Sequence, residues 1–374
     1  MSRKKKIIHI CDKFGVKGSS IHGVSRLFSW WFPRFNTKYY DVQLVGLRRP
    51  DKAVENLQQQ GINIVSLNKS KFDISTLNEI VRIVHRERPD ILHLHGYGAA
   101  NFGRVAARMT KVKTIVHEHF VDPAMPKYQG YIDYLLSQYT DYAIAVSHSV
   151  KDFMVEKRFF PQEKVAVVFN GAPLDQFKPV SKEEVHAERE KWGIPEDCKI
   201  IASIGRLDGQ KGNSYLLDAA AQVLRKGHRM KCMLVGDGPL LDELKEQCVK
   251  EGIEKDVIFT GYYVDIPLIQ SMIDIQVFPS LFEGTPLTLF EAMSMRLAII
   301  STNVDGLGEI LRHEKNALLV APKNPEQLAA AIEDLLVNPA KADYLAHRAQ
   351  QDSKNFDIQR TIDCLQNIYD RLLN

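Results

Sequence analysis

The sequence has little that would tie it to a bilayer, an oxidising compartment or a nucleic acid. No apolar run approaches the ~18–20 residues that a membrane span requires. The opening Met1-Ser-Arg-Lys-Lys-Lys6 is basic, but residues 7–11 are too short for a signal-peptide core, and Asp12 and Lys13 follow at once; no secretion is expected. Cysteines are few, odd in number and scattered (Cys11, Cys198, Cys232, Cys248, Cys364), with no Cys-x-x-Cys pair. That set fits a reducing cytoplasm better than a disulfide scaffold. Neither sign of charge is in excess: 49 Lys and Arg face 46 Asp and Glu, a net +3, which does not point to a nucleic-acid surface. No internal repeat is present, and 45% hydrophobic residues with 22 Gly and 16 Pro exclude disordered and collagen-like chains.

What is present is a two-domain α/β pattern. At roughly 150 residues per domain, 374 residues give two. Short β-branched runs at 7–11, 42–47, 62–67, 91–95, 114–117, 142–146 and 165–169 alternate with amphipathic segments such as 75–88 and 101–109. This is the signature of a parallel sheet covered by helices. Asn170-Gly171 breaks the pattern, and a charged stretch runs to Lys191. Alternation restarts with strands at 199–204, 232–235, 257–260, 275–278, 298–301 and 317–320, and two helical patterns follow at 339–353 and 358–373. Two doubly wound halves are expected, with a boundary near 171–180. Ligands of such sheets bind beyond the carboxyl ends of strands, so the loops after strands are the place to look.

The densest cluster is 280–293, with Glu283, Gly284, Thr285, Pro286, Leu287 and Glu291, after the strand at 275–278. Pro286 suits a helix start, and the free N–H groups near 284–288 would hold a phosphate. Were 283–291 one helix, the two acids would lie about 12 Å apart along it. That is wider than the roughly 5–9.5 Å of a glycosidase-type acid/base couple, so two ends of an elongated ligand fit better. A loop acid and a solvated helix acid are the bland alternative. A second cluster, Gly205-Arg206-Leu-Asp-Gly-Gln-Lys211, offers a bidentate fork and a point charge suited to a diphosphate. A third loop, 15–25 with Gly23, is not a Walker loop, since no Gly-Lys-Ser/Thr closes it. His93, His95, His117 and His119 lie at two strand ends, where alternation puts each pair on one face; a polar contact is favoured over a metal site. Two stretches mimic dinucleotide fingerprints, Gly96-Tyr-Gly98-Ala-Ala-Asn101 and Gly236-Asp-Gly238, but each lacks the third glycine.

Glu283-x7-Glu291 within E-G-T-P-L-T-L-F-E-A-M resembles the signature of retaining glycosyltransferases of family 4, the glycosyl transferase group 1 proteins of GT-B fold. Gly205-Arg-Leu…Gln210-Lys-Gly, Val235-Gly-Asp-Gly-Pro239, Phe259-Thr-Gly261, Val146-Ser147 and 170–179 agree in order. The resemblance implies two Rossmann-like domains facing a central cleft. Residues 1–175 would bind the acceptor, with helix 356–374 packing back on them, and 176–355 would bind the donor. It implies that Arg206 and Lys211 hold the donor diphosphate, with amides near Thr285–Leu287, around Pro286, beside Gly284 and Gly205. Glu283 would hold sugar hydroxyls and Glu291 the ribose, with Gly23 approaching donor and acceptor. His117 would lie near the sugar, His119 being the other register. The implied reaction moves a hexose from a nucleoside-diphosphate sugar, expected to be a UDP-sugar, to a hydroxyl of a sugar or lipid-linked sugar. It would proceed with retention and with no metal or other cofactor, in cell-envelope or exopolysaccharide synthesis. The chain's lack of Asp-x-Asp fits metal-independent chemistry.

Competing readings are an epimerase or phosphorylase on the same fold, a non-catalytic sugar-nucleotide-binding protein, and a nicotinamide enzyme. Trp30-Trp31-Phe32-Pro33 is unusually aromatic. Core packing is the favoured reading; a face for a lipid-linked acceptor or the inner membrane surface, helped by Arg3–Lys6, is the sharper one.

Overall fold

A computed structural model describes residues 3–15 and 23–374. The expectations placed on residues 16–22 of the first glycine-bearing loop lie outside the described residues. The chain forms two compact units. Unit 1 comprises Met1–Asn170 and Ile358–Asn374, and unit 2 comprises Gly171–Asp357. The chain thus crosses at 170/171 and 357/358, where the sequence suggested 175/176 and 355/356.

Unit 1 is built on β1 (Lys5–Cys11), β2 (Tyr40–Gly46), β3 (Ile64–Ser66), β4 (Ile91–His95), β5 (Lys113–Glu118), β6 (Tyr142–Ala145) and β7 (Val165–Val167). All pair in parallel, in the order β3-β2-β1-β4-β5-β6-β7. One face is aliphatic: Ile8, Ile10, Leu92, Leu94 and Val116 pack with Ile80, Ile83 and Val84 of helix Ser75–Glu87 and with alanines of helix Tyr97–Thr110. Gly103 lets that second helix close on β4, because a Cβ there would sit 2.4 Å from Leu94 Cδ2. The other face of β1, β4 and β5 carries histidines under an aromatic layer. Phe28, Trp31 and Phe35 in that layer are buried.

Helix Ile358–Leu373 belongs to unit 1 and buries Ile358, Ile362, Leu365 and Tyr369, a stripe of period three to four. Each such apolar side chain contributes about 1.5–3 kcal/mol when fully buried. Lys5 Nζ, 2.8 Å from Asp370 Oδ1, ties this helix to β1.

Unit 2 has β8 (Lys199–Ile204), β9 (Met230–Val235), β10 (Val257–Gly261), β11 (Ile275–Phe278), β12 (Ala298–Thr302) and β13 (Leu318–Val320). The sheet is again parallel, in the order β10-β9-β8-β11-β12-β13. Leu216, Leu217 and Ala220 of helix Asn213–Arg225 and Leu328 and Ile332 of helix Pro325–Val337 share one core with the strands. Both units are doubly wound Rossmann-like layers, and the strand order in each reverses beside its first strand. Residues 171–172 run against residues 356–357. Ala172 N donates to Phe356 O at 3.0 Å, and a Cβ on Gly171 would lie 2.7 Å from that carbonyl oxygen.

Trp30 is 7% exposed and Trp31 fully buried, so the aromatic run is core, as favoured. The basic start is also engaged: Arg3 pairs with Asp90, Lys5 with Asp370 and Lys6 with Glu87. Arg3 and Lys4 nevertheless stay exposed, and Phe32 is half-buried. Among the described residues no helix is long and apolar enough to cross a membrane.

Candidate active site

The carboxyl edge of the unit 2 sheet gathers most of the residues singled out from the sequence. β8 is followed by Gly205, whose φ of +157° lies at the glycine-favouring limit and whose N–H donates to Val235 O at 2.9 Å. Gly236 approaches so closely that a Cβ on it would lie 1.9 Å from Gly205 O. The loops after β8 and β9 are thus zipped backbone to backbone, with Leu207 N donating to Asp237 O at 3.0 Å. This explains the Gly-Asp-Gly without a nucleotide. Asp208 accepts from Gln210 N and Lys211 N and so turns the chain into one 3-10 turn, Gly209–Lys211. Arg206 Nε lies 3.4 Å from Asp208 Oδ2.

That turn faces the loop after β11. Lys211 Nζ donates to Glu283 Oε1 at 2.5 Å, Ser280 Oγ donates to the same oxygen at 2.8 Å, and Gln210 Nε2 reaches Glu283 Oε2 at 3.3 Å. Glu283 is 5% exposed, a burial these donors make tolerable. From the loop after β12, Asp305 Oδ2 accepts from Glu283 N at 3.2 Å. Burial pushes the Asp305 carboxyl above its ordinary range, with Glu283 adding to it against the bond it accepts from Glu283 N–H. Gln210 and Ser280 lie in the clusters singled out from the sequence but were given no role there, and Asp305 was missed. Each lies in or beside a loop after a strand, so the signal was available.

Helix Leu287–Ser294 follows, with Pro286 extended just before it and no side chain capping it. An uncapped N-terminus presents N–H groups and partial positive charge. Gly284, Thr285, Pro286 and Leu287 lead into this end, and Thr285 and Leu287 are buried. The two acids do not share one helix: Glu283 sits in the loop, held there by Lys211 and Ser280, so the 12 Å spacing along an axis does not apply. Glu291 lies in the helix and is fully buried, not a solvated acid. Ser294 Oγ bonds Leu174 O and Phe177 O and anchors the helix's far end.

Gly23 and His117 belong to unit 1. Gly23 opens helix Gly23–Trp31, and a Cβ there would meet nothing within 4 Å. His117 is buried on β5 and stacks against Trp31 (5.6 Å, 22°). The end of β5 is pinned from the opposite face. Arg158, fully buried, pairs with Glu118 and places Nε 2.7 Å from Asp133 Oδ2, while Arg104 also pairs with Asp133. Burial would raise the Asp133 carboxyl, but Arg158 and Arg104 hold it below its ordinary range. The fingerprint-like Gly96–Asn101 stretch is also accounted for. Asp12 Oδ2 accepts from Gly98 N at 3.2 Å, and a Cβ on Gly98 would meet Asp12 and Arg48. A protein carboxylate occupies the place a pyrophosphate would need.

The four expected histidines do converge, and His9 joins them; an Ile-Ile-His-Ile strand reads as purely apolar and hid it. Nitrogens of His9, His93 and His95, and of His95, His117 and His119, lie within 4.8 Å of one another. Such donor sets suit zinc, copper or nickel. The rings, however, lie within 12–32° of parallel and already hydrogen-bond one another. Their in-plane lone pairs address neighbouring rings rather than one common point.

Known proteins match this arrangement along most of the chain. The family profile described as Glycosyltransferase Family 4 matches residues 31–176, and that of Glycosyl transferases group 1 matches 184–352. An uncharacterised glycosyltransferase of Methanocaldococcus jannaschii is 28% identical over 334 residues, 83% of this chain and 84% of its own. The UDP-Gal:alpha-D-GlcNAc-diphosphoundecaprenol alpha-1,3-galactosyltransferase of Escherichia coli is 26% identical over 66% of each chain. The crystal structure of Anabaena HepE in complex with UDP superposes with a TM-score of 0.84 at 20% identity, over 98% of this chain and all of that one. With two such profiles in succession on two Rossmann-like units, the chain belongs to the group 1 glycosyltransferases of family 4, of GT-B fold.

Proposed function

We propose that the chain transfers a hexose from a UDP-sugar to a hydroxyl of a sugar or lipid-linked sugar, with retention at the anomeric carbon and without a metal. Cell-envelope or exopolysaccharide synthesis on the cytoplasmic side is the setting that fits. The observation that carries the donor site is the closure of two strand-end loops on each other by Lys211 and Glu283, next to an uncapped helix start. The UDP-dependent name of the Escherichia coli relative and the UDP complex of HepE support the base and the linked acceptor.

Departure of the nucleotide leaves negative charge on its diphosphate while the sugar becomes cation-like. Arg206, Lys211 and the N–H groups of Thr285 and Leu287 would stabilise that charge. Glu283 would hold sugar hydroxyls and Glu291 the ribose. Gly23 would approach donor and acceptor, and His117 would lie near the donor sugar. Retention follows from same-face attack, in which the leaving diphosphate takes the acceptor proton.

A thermal-shift series with UDP, GDP, ADP and their sugars, with and without EDTA, tests this. An upward shift selective for uridine nucleotides and insensitive to EDTA is expected; no shift with any of them overturns the donor site. Retention is read from the anomeric configuration of the product by NMR.

A further inference from the structure

Six side chains of unit 1 stand in single file. His119 Nε2 meets His95 Nδ1 at 3.0 Å, and His95 Nε2 meets His9 Nδ1 at 3.0 Å. His9 Nε2 meets the Tyr369 hydroxyl at 3.3 Å, and that hydroxyl meets His93 Nδ1 at 2.7 Å. His93 Nε2 meets His117 Nδ1 at 3.1 Å. Beyond it, His117 Nε2 is buried with no hydrogen-bond partner among the described residues. Sheet register builds the file: His9 pairs with His93 and His95 with His117, so period-two alternation puts all the rings on one face. Phe28 set edge-on to His95 (5.0 Å) and Trp31 stacked on His117 hold the rings in place.

Proton counting makes the file collective. A neutral imidazole has one N–H and one lone pair, and each interior ring uses both nitrogens. A tyrosine hydroxyl has one hydrogen to give. With that hydrogen also used, all five bonds can be made in only two ways: every ring protonated at Nδ1, or every ring protonated at Nε2. A hydroxyl that accepted from both His9 and His93 would leave its own hydrogen, fully buried, without an acceptor in the file. Burial keeps His9, His93, His95 and His117 neutral by lowering their affinity for a second proton. The Nε2 setting leaves an N–H of His117 buried without an acceptor. The Nδ1 setting leaves only a lone pair there and moves the end hydrogen to Nδ1 of His119, which is half-buried where His117 is fully buried, the lesser cost.

We propose that His119, His95, His9, Tyr369 and His93 are positioning residues that fix the tautomer of His117, so that its Nε2 is presented as an acceptor matched to a hydroxyl hydrogen. A sugar hydroxyl in that place rests on the reading of His117 given above; the wire itself does not, and its test uses no nucleotide sugar. Long-range proton–nitrogen NMR of the full-length, 15N-labelled protein reads each tautomer. Expected in the wild type is Nδ1–H at His9, His93, His95 and His117 together. His119→Phe removes the outer partner of His95, so the His117 nitrogens shift toward the Nε2–H pattern. In a Tyr369→Phe background, where the file is cut but the ring retained, that dependence on residue 119 is lost. Should His119→Phe not fold, Tyr369→Phe alone must uncouple His93 and His117 from His9 and His95. Mixed tautomers along the wild-type file, or no response of His117 to either variant, overturn the proposal. Stoichiometric zinc or nickel that moves the same resonances overturns it too, in favour of a metal site.

Discussion

Lys211 Nζ and Glu283 Oε1 lie 2.5 Å apart and join the loop after β8 to the loop after β11. Lys211→Ala leaves a 5% exposed carboxylate with only Ser280 and Gln210 as donors. The expected cost is about 1–3 kcal/mol of unfolding free energy, together with loss of the uridine-nucleotide thermal shift. Urea unfolding and the thermal-shift series check the two effects separately. Unchanged nucleotide binding would remove Lys211 from the donor site.

Glu291 is fully buried in a helix whose start is proposed to face the diphosphate. Glu291→Ala is expected to lower kcat/KM for the donor by roughly 100-fold or more, with the fold intact by circular dichroism. Glu291→Gln should recover part of that loss. Turnover equal to the wild type would sink the role given to Glu291.

The buried histidines predict an acid-sensitive unit 1. Burial pulls His9 down to about 3 and holds His93, His95 and His117 well below 6.5. The unfolded chain therefore binds more protons below pH 6.5 than the folded one. Their neutral burial costs nothing above that pH and destabilises as the pH falls through it, by up to roughly 1.4 kcal/mol per pH unit for each ring. Hydrogen exchange corrected for intrinsic rates should show β4 and β5 losing protection between about pH 7.5 and 5.5. His9→Leu should flatten that dependence, and a flat wild-type profile would contradict the burial.

Arg158 is buried between Glu118 and Asp133 and braces the strand end that carries His117. Arg158→Met is expected to destabilise by about 3–5 kcal/mol, because two buried carboxylates lose their shared cation. The double variant Arg158→Met with Glu118→Gln should recover part of it. Chemical denaturation gives both numbers, and a loss below about 1 kcal/mol would count against the brace.

Much of this was legible in the residues. Every strand was placed, and those at 91–95, 199–204 and 275–278 end where expected, since runs buried on both faces leave a clear pattern. Arg206, Lys211, Glu283 and Glu291 were visible because charged residues and glycines interrupt apolar helices and strands at strand ends. What stayed hidden depends on three-dimensional register. His9 looks like one polar residue in an apolar strand until β1 lies beside β4. Asp305 becomes a partner of Glu283 only when the loop after β12 meets the loop after β11. Arg158 looks like a surface cation until helices Tyr97–Thr110 and Lys127–Leu136 close over it.

The helix Ile358–Leu373 is synthesised after the whole of the second unit, yet its Tyr369 fills the aromatic layer over β1 and β4. A domain normally folds as its chain emerges, the earlier part first. Here the first sheet made must wait, its histidine face uncovered, until all 187 residues of the second unit (171–357) have been synthesised. A nascent chain stalled short of residue 369 would therefore carry a finished second unit and an unsealed first one.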